Sequence, residues 1–137
     1  MSFIQTLSGK QLDYLIATID DTDIEDIAVA LSNICCFSGH LPESYSVAQH
    51  SVLCSQLVSP AFAFEALMHD AADAYCQDIP APLKALLPDY REIAKRTDPL
   101  IRFKLCLPLE EPTVVQYPYL TMLATERRAT DLADRYP

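Results

Sequence analysis

The chain has 137 residues, half of them apolar and a fifth charged, which suits one domain with a real core and an ordinary globular composition. Its net charge of −9 repels phosphate backbones, so binding to polymeric nucleic acid is not expected, whereas a small anionic ligand stays open if a metal ion or a local basic cluster inverts the field. No apolar run reaches membrane-spanning length and the N-terminus lacks a basic segment leading into a long apolar one, so a cytoplasmic protein without a membrane partner is expected.

Along the chain, only Gly9 and Gly39 are glycines, which excludes a Gly-rich phosphate loop. Strand-like alternation with hairpin turns is not evident, and helical periodicity dominates. The stretch "DTDIEDIAVALSNI" offers Thr22 or Asp23 as a helix cap, followed by Ile24, Ile27, Ala28 and Leu31 on one face. "SYSVAQHSVLCSQLV" reads as a second helix, capped by Ser44 or Ser46, with Val47, Leu53 and Leu57 as core candidates. "SPAFAFEALMHDAADAYC" reads as a third, with Ser59 as cap and Pro60 at its first position. "IPAPLKALLPDY" predicts a short helix that ends before Pro88. Two longer helical segments follow, roughly 89–106 and 115–134, separated by "LPLEEPT". The expected fold class is all-α, a compact helical bundle.

Five cysteines, with Cys35 and Cys36 adjacent and no C-x-x-C pair, argue for reduced, mostly buried thiols rather than a disulfide framework. A zinc site built from these thiols is not expected. The histidines are more informative. His50 lies nine or ten residues before the Ser59-Pro60 turn and His69 as far beyond it. At about 1.5 Å of rise per residue, both sit at one level of an antiparallel helix pair. Asp70 follows His69 directly, and Asp73 returns to the same side one turn later. Two imidazoles and several carboxylates at one level suit a divalent transition metal; the alternative is a hydrogen-bonded core network.

The segments "FSGHLPESYSVAQHSVL" and "ALMHDAADAYCQDIPAPLK" resemble the small HD-domain phosphohydrolases, most closely the compact, often phage-encoded members that act as 5′-deoxynucleotidases or deoxynucleoside triphosphate hydrolases. The resemblance spans about residues 27–86 and, more weakly, a last helix through "LATERR". It implies an HD-domain helical bundle and one divalent transition metal, Mn, Co, Fe, Ni or Zn, held by His50, His69 and Asp70. It further implies Asp73, in place of a Glu, as the acid that orients or deprotonates the attacking water, and Asp78 as a second acid near the leaving group or sugar. Lys84 would meet the substrate phosphate. His40, in the F-x-G-H stretch, would edge the site as a substrate contact or a supporting partner, unless it is an ordinary loop histidine.

The pattern departs from this family in two further places. Cys36 stands where an arginine usually grips phosphate, a bidentate clamp that lysine does not replace. Tyr119 stands where a fourth ligand, an Asp seven residues before Glu126, is usual; Asp131 and Asp134 lie further along. The expected function is metal-dependent hydrolysis of a nucleotide phosphate, deoxynucleoside mono- or triphosphate. The alternative is a catalytically degenerate HD-like protein that binds a nucleotide or a protein partner. A homo-oligomer is left open.

Overall fold

The computed structural model of the chain describes residues 1–116, 121–122 and 125–126. Tyr119, Asp131 and Asp134, and with them most of the expected last helix, lie outside the described residues. The described part is mostly helical, but it opens on a small antiparallel hairpin, β1 (Phe3–Gln5) and β2 (Gln11–Asp13), which corrects the all-helical expectation. Three-residue strands are too short to display an alternation. Leu12 is nonetheless fully buried in the core, and the hairpin turn is clamped to the first helix by Ser8, whose backbone N–H and hydroxyl both donate to Asp26, at 2.8 and 2.6 Å.

Helix α1 (Ile24–Asn33) is capped by Asp23, whose side chain accepts from the Glu25 N–H, and buries Ile27 and Leu31. Helix α2 (Val47–Gln56) starts at a capping box in which Ser46 and Gln49 satisfy each other's backbone N–H groups. A short antiparallel bridge at Cys35 and Ser46 closes the intervening loop. Leu53 and Leu57 are exposed, contrary to the expectation that they join the core. The buried face of α2 is instead Val47, His50, Ser51 and Cys54, so polar and sulfur-bearing residues occupy the stripe where leucines were expected.

The expected third helix is broken. A 3-10 turn at Pro60–Phe62 leads into α3 (Ala63–Leu67), and only after an interruption does α4 (Asp73–Cys76) follow. Between them the chain keeps winding through i to i−3 hydrogen bonds, Ala71 to Met68, Asp73 to Asp70, Ala74 to Ala71. Three residues per turn eclipse positions three apart, so this tighter winding puts Asp70 and Asp73 on one side while Ala71 is fully buried behind them. High helix propensity alone does not distinguish this local geometry from a regular α-helix.

Helix α5 (Ala81–Lys84) begins on the Pro80–Pro82 segment, and α6 (Pro88–Lys104) carries Ile101 into the core. Pro88 starts α6, consistent with its missing donor. Residues 113–116, 121–122 and 125–126 are also helical. Leu12, Ile27, Leu31, Val47, Met68, Ala71, Tyr75 and Ile101 form the central cluster. Among the described residues no helix is long and apolar enough to cross a membrane. No disulfide forms among the cysteines, of which Cys36 and Cys54 are buried and Cys106 is exposed.

Candidate functional site

His50 projects from the buried face of α2, and His69 from the tight turn that ends α3. Their rings lie 5.3 Å apart, centroid to centroid, tilted by 56°. Each imidazole is oriented from behind. The His50 Nδ1–H donates to Glu126 Oε1 at 2.7 Å, and that carboxylate also accepts from the Tyr45 hydroxyl. The His69 Nδ1–H donates to the Ala66 carbonyl at 2.7 Å. A carbonyl cannot donate, so this bond fixes the proton on Nδ1 and turns Nε2 toward Asp70. Asp70 Oδ2 sits 2.9 Å from His69 Nε2 and 3.8 Å from His50 Nε2. Both side-chain rings are 5% exposed, so this is a dry wall with two Nε2 atoms facing one carboxylate.

Cys54 joins them. One turn after His50 on α2, its Sγ lies 3.5 Å from His50 Nε2. Among the described residues, His50, Cys54 and His69 form a group whose ligand atoms all lie within 4.8 Å of one another, a set able to hold a metal ion. Nitrogen, sulfur and carboxylate donors at this spacing suit a borderline-soft divalent ion. The orienting partners on Nδ1 are those expected behind metal-binding imidazoles. One thiol therefore stands in the candidate site, against the expectation that no zinc site is built from the thiols. The signal was its four-residue spacing from His50.

The wall opens on a cavity of about 500 Å³, bordered by His50, Asp70, Asp73, Asp78, Lys84 and Glu126, with Cys36, Phe37 and the Ile79–Pro82 segment completing it. Asp73 and Asp78 thus share one cavity with Asp70. His40 does not line it and is exposed, on the loop that also carries Phe37. That loop is sharply turned: Phe37, Ser38 and Gly39 are all left-handed, at φ 54, 53 and 77°. Gln77 is left-handed too, at φ 72°, which swings the chain from α4 back toward the cavity at Asp78. Its carbonyl accepts from the Tyr90 hydroxyl at 2.9 Å. Lys84 extends over the Tyr90 ring with its Nζ 5.8 Å from the centroid.

The electrostatics divide the acids. Burial works against charging Asp70, but the hydrogen bond from His69 and the charges of His69, His50 and Lys84 hold its carboxyl below the usual range. Burial likewise opposes charging His69, and Asp70 overrides it, raising the imidazole above its ordinary value. Asp73 goes the other way. Burial, then the charges of Asp70 and Asp78, push its carboxyl up to about 8. Asp78 is raised as well, by burial and by Asp70. Burial and the surrounding carboxylates push the Cys36 and Cys54 thiols up to about 12. Four carboxylates border a cavity whose one Lys or Arg, among the described residues, is Lys84. A cation at the histidine wall would relieve that imbalance.

No protein-family profile matches the chain. It is 62% identical over 134 residues to the uncharacterized protein YfdR of Escherichia coli K12, covering 98% of this chain and 75% of that protein. It is 32% identical over 120 residues to an uncharacterized protein of Rhodobacter capsulatus, covering 80% of this chain and 61%, less than two thirds, of the other. The chain belongs to the YfdR family.

Proposed function

We propose that this YfdR-family chain is an HD-type metal-dependent phosphohydrolase acting on a nucleotide, a deoxynucleoside mono- or triphosphate. The observation that carries the reading is the meeting of His50, His69 and Asp70 at a cavity that His50 and Asp70 border and that also presents Asp73, Asp78 and Lys84. A phosphate entering such an acidic cavity needs positive charge beyond one lysine. His50, His69 and Asp70 would hold a divalent transition metal. When bound, that ion supplies Lewis acidity toward a phosphoryl oxygen and lowers the pKa of water.

The chain's own residues handle the rest. The Asp73 carboxyl, raised to about 8 in the metal-free fold, would be drawn down by a bound cation toward neutrality, where a carboxylate both accepts a proton and gives it back. It takes the proton of the attacking water as the new P–O bond forms. Asp78, also raised, returns a proton to the leaving oxygen as the old P–O bond breaks. The Lys84 ammonium meets the phosphate charge. Phe37 and the Ile79–Pro82 segment give apolar walls against which a base or sugar packs.

A second reading, nucleotide binding without turnover, is favoured by Cys36 on the cavity wall in place of a guanidinium. Protein purified without chelator and assayed for phosphate release from deoxynucleoside mono-, di- and triphosphates, with Mn, Co, Fe, Ni or Zn added, separates the two. Metal-dependent release supports the hydrolase. Saturable nucleotide binding with no release under any metal supports the binder.

A further inference from the structure

Cys54 has no part in the hydrolysis just described, yet it is 2% exposed and stands beside the imidazole wall. For an ion bonded to nitrogen at about 2.0–2.1 Å and to sulfur at about 2.3 Å, tetrahedral coordination places the two donor atoms about 3.5 Å apart. The observed Cys54 Sγ to His50 Nε2 separation is 3.5 Å. Neither Cys54 nor His69 borders the cavity, whereas His50 and Asp70 do. A thiolate at Cys54 would therefore close the buried side of an ion, with His50 and Asp70 on the cavity side, where expansion to five-coordination admits an exchangeable ligand.

We infer that Cys54 is a direct metal ligand, completing a His50–His69–Asp70 set so that the site selects a thiophilic ion, zinc, iron(II) or cobalt(II), over manganese or magnesium. The inference rests on the proposed metal site and adds the ligand that decides which ion occupies it. Soft thiolate donors favour zinc and similar ions, whereas carboxylate and water suit manganese and magnesium. On binding, the S–H bond breaks, its proton passes to solvent, and the sulfur electron pair goes to the ion.

The test uses the full chain, freed of metal by chelation and then titrated with cobalt(II). The wild type should bind about one ion per chain and develop a near-ultraviolet thiolate-to-cobalt charge-transfer band. X-ray absorption on the zinc-loaded protein should show one sulfur at about 2.3 Å. Cys54→Ser should lose the band and bind cobalt about tenfold or more weakly, with a narrower preference for zinc over manganese. Cys36→Ser should keep the band. Should Cys54→Ser fail to fold, the sulfur scatterer in the wild type decides. Cobalt binding that is lost in His69→Ala but shows no sulfur, or whose band disappears in Cys36→Ser instead, overturns the Cys54 assignment and leaves the metal site standing. A wild type that binds neither cobalt nor zinc overturns both.

Discussion

The inner and outer walls of the cavity are built by different means. On the inner side, His50 borders the cavity from α2 with His69 behind it at the end of α3, and each has its Nδ1 committed, to Glu126 and to the Ala66 carbonyl. The outer wall is carried by turns, with Phe37 and its neighbour Ser38, and Gln77 just before Asp78, in left-handed backbone, and Lys84 stands at the end of a four-residue helix. Left-handed non-glycine residues carry a conformational cost that surrounding contacts must hold in place. The contrast assigns the walls different work: the inner one fixes the donors for an ion, and the outer one shapes what lies against it. Substitutions inside should therefore change metal content, and substitutions outside should change substrate handling.

The largest effect should come from removing an inner donor. His69→Ala should weaken metal binding by more than about 100-fold, beyond what loss of an orienting partner costs, whereas Lys84→Ala should keep its metal. Metal analysis after dialysis, with circular dichroism as a check on the fold, measures both. Equal metal in His69→Ala and the parent would break the division between the walls. Next is Asp73→Asn, which should cut turnover by about 10²–10⁴-fold by removing the proton acceptor, with metal content nearly unchanged. Parallel loss of metal would move Asp73 into the ligand set. Smaller again is Glu126→Gln, which keeps a hydrogen bond to His50 but removes the negative charge behind it. Metal affinity, followed by calorimetric titration, should fall about 10–100-fold, and an unchanged value would make Glu126 a packing residue only.

Much of the inner wall was legible because helices make distance countable. The Ser59-Pro60 turn and equal residue counts on either side place His50 and His69 level, and the structure has their rings 5.3 Å apart. Caps were legible for the same local reason: Asp23 and Ser46 are small acceptors just ahead of periodic apolar stretches. Cys54 is not legible from the thiols as a set, because they share no motif, whereas the geometry uses one thiol at a helical spacing from one imidazole. The break between α3 and α4 was hidden by high helix propensity, which does not distinguish i−3 from i−4 winding. Leu53 and Leu57 lie off the core because a hydrophobic residue on a helix is not by that fact on its buried stripe. The meeting of Tyr45 and Glu126, 81 residues apart, depends on tertiary packing that no local pattern encodes.

The smallest effect is on stability, and it contrasts Asp73 with an acid remote from the cavity. Against its burial, the Ser8 donors hold Asp26 below the usual carboxylate range, so its contribution is present above an unfolded pKa of about 4 and is lost as pH falls through the lower folded value. Asp73 behaves in reverse. Below about pH 4 its carboxyl is protonated in both the folded and the unfolded chain. As pH rises from there toward the folded value of about 8, the unfolded chain ionises first while the fold still holds its proton. The folded state therefore binds more protons across that window and loses relative stability as pH climbs. Asn cannot ionise, so metal-free Asp73→Asn should match the parent near pH 4 and exceed it near pH 8 by about 1 kcal/mol or more. Adding the metal should narrow the gap, because a cation at the inner wall favours the ionised Asp73. Urea unfolding of both proteins at the two pH values, with chelator and with zinc or cobalt, measures the difference. A gap that does not change with pH would mean that another group already compensates the Asp73 charge, and that the acids of the cavity do not need an ion to offset them.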